Sequence, residues 1–391
     1  MPILADHNAC TGCSACANKC NHSAIEMKED NTGFLYPVVS SEHCVECGLC
    51  QSACPIVTPL TNQQRDPRGF VAQHKDPKVL KESTSGGAFT GIAQYVIEHG
   101  GVVFGASYAD DFVVVHTFLD SVEELYRFRN SKYVQSVIGD SYKQVKDFLK
   151  QDRLVCFSGT PCQIQGLLAY LGKTSSEKLI TVDIVCHCVP SPLIFRKYLE
   201  YQKNTTGEFD NLVFRDKSKG YSYSTMALYK GSKCVYRRGS ESDRWFRAFL
   251  HGMCDRPSCE SCKAQRWPRQ SDITIWDCFI IDKIVPGFDN NKGTTNIITW
   301  SDKGREVIEG ANCLKTQIVS AVQFKHKIDR EYFSDLMSVN SSIMYQDAHS
   351  MSSEDFFNKY LPETASVKIK RIIRELLYAI GIYGFIKKIL S

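Results

Sequence analysis

Eight of the eighteen cysteines stand in two short runs with one shared spacing. The first run is Cys10, Cys13, Cys16 and Cys20. The second is Cys44, Cys47, Cys50 and Cys54, with Pro55 directly behind it. Thiols stepped three residues apart let one loop wrap a cube of iron and sulfide and reach three of its irons. The fourth iron needs a ligand from outside the loop, and the last cysteine of the other run supplies it. The spacing therefore predicts one [4Fe-4S] cluster on Cys10, Cys13, Cys16 and Cys54, and a second on Cys44, Cys47, Cys50 and Cys20. Zinc is the competing metal, but a tetrahedral ion leaves a third closely spaced thiol surplus. The chemistry expected of these residues is the transfer of single electrons.

Few elements are needed to hold them. Between the runs, "DNTG" reads as a turn and "GFLYPVV" as a short strand. Residues 1–58 resemble a two-cluster bacterial ferredoxin, with Asn21 standing where a proline is usual. The polar stretch with Pro59 and Pro67 makes 59–68 a linker.

Paired clusters do no organic chemistry, so the remaining chain should hold a group that exchanges single electrons for pairs, usually a flavin. No G-x-G-x-x-G fingerprint is present. "STSGGAFTGIAQYVIEHGGVVFGASY" reads instead as a glycine loop, a helix with Phe89, Ile92, Ala93, Val96 and Ile97 on one face, a turn and a buried strand. Its exposed N–H groups suit a phosphate, or simply cap a helix. "RLVCFSGTPCQIQGLLAYLG" reads as strand, turn and helix, with Pro161 and Cys162 in the first helical turn, where the helix dipole favours thiolate. "LITVDIVCHCVPSPLIFRKYLEYQ" repeats the unit and carries Cys186, His187 and Cys188. Strands alternating with helices predict a parallel sheet, with Cys162 and Cys186 at the carboxyl edge where such sheets bind ligands. Cys259 and Cys262 form a C-x2-C knuckle. From spacing alone, Cys162, Cys186, Cys259 and Cys262 close a third cluster, with Cys188 and Cys254 as spare ligands; or the knuckle holds zinc with His187; or the first two are small buried hydrophobes.

The totals bound the answer. The 391 residues suit a small domain plus a larger one, and 43% hydrophobic with 23% charged residues match a folded protein. A net charge of +4 is too weak to imply a nucleic-acid partner. Metal-type cysteine spacing and an N-terminus without a basic start and apolar core predict a reducing, cytoplasmic setting. "FRDKSKGYSYSTMALYKGSKCVYRRG" alternates as a hairpin turning at "KGSK". The end, "SVKIKRIIRELLYAIGIYGFIKKIL", is basic and apolar but too short at its centre to span a bilayer. Two readings stand: a helix on a partner or on the inner membrane face, and a helix packed on its own domain.

Taken in order, "STSGGAFTGIAQYVIE", "SKYVQS", "FSGTPCQIQGL", "VDIVCHCVPSP" and "SCESCKAQRWPRQSDITI" resemble the coenzyme F420 hydrogenase/dehydrogenase β-subunit family over about residues 65–340. The resemblance implies an iron–sulfur flavoprotein oxidoreductase. It would pass electrons between a ferredoxin or another redox protein, [4Fe-4S] clusters, FAD and an unidentified organic substrate, in a setting such as surface-polysaccharide biosynthesis. The alternative is an electron-transfer subunit with no small substrate of its own. It implies FAD contacts at Ser85, Gly86, Gly87, Thr90, Ser131, Lys132, Tyr133, Gln135, Ser136, Gly159 and Thr160, and the third cluster on Cys162, Cys186, Cys259 and Cys262. Lys132 would stabilise the reduced ring by charge and His187 is the nearby proton donor. Two positions depart from the pattern: Cys188 and Trp276 stand where the family has glycine, which puts deazaflavin use in doubt. The expected fold is α+β or α/β: a ferredoxin-like two-cluster module over 1–58, the linker 59–68, a larger α/β flavin-binding domain over 69–345, and a C-terminal tail over 346–391 with an amphipathic helix.

Overall fold

The computed structural model describes residues 1–61, 65–172, 177–328 and 341–390. The expected linker at 59–68 falls partly outside the described residues. At the N-terminus, α1 (Ala15–Lys19), the antiparallel hairpin β1 (Ile25–Glu29) and β2 (Leu35–Val39), and α2 (Leu49–Ser52) form a small module. Asp30 builds the hairpin turn, its Oδ1 accepting from Thr32 N at 2.9 Å and Thr32 Oγ1 at 2.6 Å. Left-handed backbone at Gly12, Ser14, Glu46 and Gly48 bends the two cysteine loops inward.

The body begins with β3 (Arg68–His74), α3 (Pro77–Glu82), α4 (Ala88–Glu98), β4 (Val102–Tyr108) and β5 (Val114–Leu119). It continues through α5 (Ser141–Lys150), β6 (Val155–Gly159), α6 (Pro161–Leu171), β7 (Leu179–Ile184) and α7 (Pro192–Thr206). Next come β8 (Asn211–Asp216), β9 (Thr225–Lys230), β10 (Lys233–Arg238), α8 (Arg244–Leu250), β11 (Ile273–Asp277) and α9 (Ile281–Ile284). The chain ends with β12 (Thr295–Thr299), α10 (Asp302–Gly310), β13 (Leu314–Val319), α11 (Lys325–Ile328), α12 (Ser341–Ser350), α13 (Ser353–Tyr360), α14 (Ala365–Ala379) and α15 (Tyr383–Leu390).

Among the described residues, eight strands form one sheet in the order β13-β3-β12-β11-β7-β6-β4-β5. The β11-β7-β6-β4 centre is parallel and the flanking strands are antiparallel. The central strands are apolar on both faces because helices cover both. Val103, Cys156 and Ile180 pack toward α4 and α10, while Val102, Phe104, Val155, Phe157 and Leu179 pack toward α5 and α6. Ala15 of α1 joins that second core, so the N-terminal module docks on the α5–α6 face.

The smaller sheet, β10-β9-β8, contains the expected hairpin, turning at Gly231 and Ser232. With α7, α8, α12 and α13 it encloses a third core around Trp245, Phe246, Phe356 and Phe357. Burying Phe356 and Phe357 stabilises this packing by about 2 kcal/mol each. Of the region expected as a tail, α12 and α13 are thus core, and only α14 and α15 lie outside it.

Candidate functional site

Cys10, Cys13, Cys16 and Cys54 line one small cavity, together with Leu4, Met27, Pro37 and Ile56. Cys20, Cys44, Cys47 and Cys50 line a second. Each cage takes three thiols from one run and the last thiol of the other, the exchange that the spacing predicts. Ala24 N donates to Cys20 Sγ at 3.3 Å and Arg256 Nη2 to Cys10 Sγ at 3.8 Å. Such N–H···S bonds hold thiolates. Burial pushes the Cys13 thiol up to about 12, and Cys16 is raised by burial and then by Cys13, Cys10 and Cys54. These thiols would hold a cluster as thiolates, giving up their protons to do so. Among the described residues, no three His, Cys, Asp or Glu side chains stand close enough to hold a single metal ion. A cube's outward thiolates stand farther apart than four ligands on one ion, so this donor set fits iron–sulfur cubes.

The third set gathers at the edge of the large sheet. Because β6 and β7 are parallel neighbours, Cys162, in the first turn of α6, and Cys186, just beyond β7, converge. Cys259 and Cys262 come to them on a loop fixed by two buried arginines. Arg269 donates to Ala264 O at 2.7 Å and Ile328 O at 3.2 Å, and Arg256 Nε donates to Cys10 O at 2.7 Å. The Cys186 thiol is raised by burial and then by Cys259, Cys162 and Cys262. Burial, then Cys262, pushes Cys162 up to about 11. Burial thus overrides the thiolate bias expected from the helix dipole. Of the spare candidates, Cys254 belongs to the apolar core, and Cys188 directs its Sγ to Phe249 O at 3.8 Å.

One helix joins these sites. A Cβ at Gly166 of α6 would meet Cys13 Cβ at 2.8 Å and Cys13 Sγ at 2.9 Å, so only glycine lets the module sit this close. One turn earlier Cys162 approaches Thr160 Oγ1 at 3.1 Å. Thr160 opens the helix with a capping box, its N donating to Gln163 Oε1 at 2.9 Å, and lines the next cavity.

That cavity, of about 310 Å³, lies at the carboxyl ends of β6, β7 and β11 and beside β4. Ser85, Gly87, Thr90, Ser131, Lys132, Tyr133, Ser136, Gly159 and Thr160 all line it. Its two loops are tied by Thr84 Oγ1 and Ser131 Oγ at 2.9 Å. Three expected residues lie elsewhere. Gly86 is pressed on the sheet, where a Cβ would meet Ala72 O at 2.2 Å. Gln135 turns to the N-terminal module and accepts from Leu35 N at 3.3 Å and Arg256 Nη1 at 3.4 Å. His187 is half-buried with its ring 4.8 Å from Phe249, away from the cavity wall.

Lys132 does line the cavity, but its Nζ donates to the carbonyls of Arg129 and Asn130 at 3.3 and 3.4 Å, and burial pushes its pKa down to about 7. Trp276 lines it too and packs edge-on against Phe324. Sequence reasoning missed three polar groups. His116 stacks on Phe157 and pairs Nε2 with Ser158 O at 3.0 Å, leaving Nδ1 buried without a partner; burial pushes its pKa down to about 4. Asp277 accepts from Tyr221 OH at 2.7 Å and pairs with Arg215 at 3.3 Å. Burial works against the Arg215 charge, but Asp277 outweighs it and holds the guanidinium above its usual range. Lys217 donates to the carbonyls of Leu80, Ser85 and Lys292 at 2.6 to 2.7 Å, which sets the glycine loop. None of these residues repeats at a telling interval, so no spacing signal marks them. A larger cavity of about 900 Å³ shares the Arg129–Lys132 wall.

Residues 152–323 match the model for the C terminus of the coenzyme F420 hydrogenase/dehydrogenase β subunit, and residues 9–57 match a 4Fe-4S dicluster domain. The chain is 24% identical over 343 residues to the coenzyme F420-dependent sulfite reductase of Methanocaldococcus jannaschii, covering 84% of this chain and 51% of that protein. It thus spans about half the length of this relative. Among solved structures, a chain of the F420-reducing [NiFe] hydrogenase complex of Methanosarcina barkeri aligns with a TM-score of 0.45 and 15% identity, over 76% of this chain and 93% of that one. Residues 152–323 belong to the coenzyme F420 hydrogenase/dehydrogenase β-subunit family, and a 4Fe-4S dicluster domain precedes them at residues 9–57.

Proposed function

We propose that this chain is an iron–sulfur flavoprotein oxidoreductase. It passes electrons from a ferredoxin-type donor through the N-terminal clusters and a third cluster to FAD in the 310 Å³ cavity, and on to an organic acceptor. The observation that carries this reading is the reach of α6, whose Gly166 touches Cys13 while its first turn presents Cys162 beside the cavity-lining Thr160. When bound, the clusters carry electrons singly and an isoalloxazine exchanges single electrons for pairs.

The chain's own residues do the rest. Cys162, Cys186, Cys259 and Cys262 bring four thiols to one place from three separate segments. Lys132, held near neutral pKa, supplies positive charge as an anion forms beside it and loses a proton easily. His116 stays neutral through the physiological range and offers its unpartnered Nδ1 as an acceptor. The smaller cavity suits a ring system; the larger one, with Lys78, Lys81 and Arg127 in its wall, suits phosphates. The relative's name makes coenzyme F420 the competing two-electron group. A second reading, an electron-transfer subunit serving another protein, is favoured by the match of residues 152–323 to a hydrogenase/dehydrogenase β subunit.

Anaerobic purification with iron, sulfide and flavin counts tests the proposal. Three cubes give about twelve irons per chain. Cys259→Ala should lose about four irons and keep the ferredoxin-type signal. About eight irons in the parent chain removes the third cluster. Acceptor reduction by the isolated chain favours the enzyme, and reduction only with an added subunit favours the relay.

A further inference from the structure

The strongest feature outside the redox site is the outer face of α14. One side of this helix is fastened to the body through buried Val367 and Arg374. Arg374 donates to Glu241 Oε2 at 2.5 Å, Tyr223 O at 3.2 Å and Ser224 O at 3.0 Å. The opposite side carries Ile369, Ile372, Ile373, Leu376 and Ile380, between 48% and 65% exposed. At about 100° per residue these five share an arc of roughly 100°. Lys368 and Lys370, both exposed, border the arc on its two sides. Beyond Gly381, where φ is +76° and the helix breaks, α15 adds Phe385 at 69% exposure.

We propose that α14 and α15 seat the protein on the surface of an anionic lipid bilayer. A helix pinned by one face cannot rotate to hide the other, so the apolar row stays in water until something covers it. The row is a single ridge of hydrocarbon and phenyl groups with no side-chain hydrogen-bonding group to set register with a protein. Its lysine borders have stems long enough to lie along acyl chains while the ammonium groups meet lipid phosphates. Arg374 is paired with Glu241 and Arg371 with Glu363, so the charge this face presents comes from Lys368 and Lys370 beside its apolar row, and the complementary surface is negative. Among the described residues no helix is long and apolar enough to cross a membrane, which leaves this segment lying in the interface.

Vesicle flotation of the full, iron-loaded chain tests the proposal. The expected result is binding to mixed phosphatidylcholine–phosphatidylglycerol vesicles, weaker binding to pure phosphatidylcholine, and release at high salt. The double variant Ile372→Asp/Leu376→Asp should lower the partition by roughly tenfold or more, with iron content and circular dichroism unchanged. Lys368→Glu/Lys370→Glu should abolish the preference for the anionic lipid. Failure of the parent chain to float with either vesicle overturns the proposal. So does binding that the Asp variant leaves intact, or a parent dimer that the Asp variant converts to monomer without any vesicle binding.

Discussion

Lys132 sits with the carbonyls of Arg129 and Asn130 and the Tyr108 ring around its ammonium, and burial holds its pKa down to about 7. An unfolded lysine keeps its proton to about 10.4. Between those values the unfolded chain binds more protons than the folded one, so stability rises with pH across that window. Below the folded pKa the full cost of burying the charge is present; above the unfolded pKa it is gone. Lys132→Met should therefore melt higher than the parent at pH 6 to 7, by up to about 5 kcal/mol, with the difference closing as pH approaches 10. Thermal melts of cofactor-free protein across that range check the sign. The same variant should retain flavin less well, because the charge that is costly in the empty cavity is useful beside an anion. Arg256 shows a different use of a buried cation: its guanidinium clamps Cys10 O, Leu35 O and Gln135 Oε1 and lies 4.1 Å from the Tyr36 ring. It joins the dicluster domain to the loop that carries Cys259.

At the scale of elements, α6 does most of the positioning. Its capping box sets Thr160 and Cys162, and its single glycine admits Cys13. Gly166→Leu should push the N-terminal module off the α5–α6 face at a cost of roughly 1–3 kcal/mol. The N-terminal iron count should stay unchanged, while hydrogen exchange rises over residues 1–58 and electron delivery to the cavity slows. Rates unchanged from the parent would remove α6 from the path. The strand–turn–helix units at β6–α6 and β7–α7 were readable because a continuous apolar run, a proline in the first helical turn and an amphipathic period are all local signals. The packing of α12 and α13 was not, because their burial depends on α7 and α8, which are distant in the chain.

For the whole molecule, the contrast between module and body is one of core size. The module buries few large apolar side chains, Phe34, Tyr36 and Ile25 among them, whereas the body has helices over both faces of an eight-stranded sheet. Residues 1–58 should thus depend on their metal clusters for folding, as small domains with little core do. Anaerobic iron chelation should strip hydrogen-exchange protection from β1 and β2 while the sheet from β3 to β13 keeps most of its own. The docking contacts Asn18 Nδ2 to Gly139 O at 2.8 Å and Lys19 Nζ to Tyr170 O at 2.7 Å should be lost with it. Uniform loss of protection would show instead that module and body fold as one unit.

The sequence alone predicts how the eight thiols group into two cages, with Cys20 and Cys54 exchanged, because three-residue steps and a cube's geometry leave one arrangement. It also determined the parallel centre of the sheet and the two loops that border the cavity. Folding, by contrast, set which way single side chains point. Gln135 turns to the module, Gly86 lies against the sheet and His187 packs on Phe249, although each stands in a loop the sequence marks. It also brought in His116, Asp277, Arg215 and Arg256, which carry no periodic signature. Periodicity reports how a segment meets a surface; the direction of a polar side chain depends on partners that are distant in the chain and adjacent only after folding.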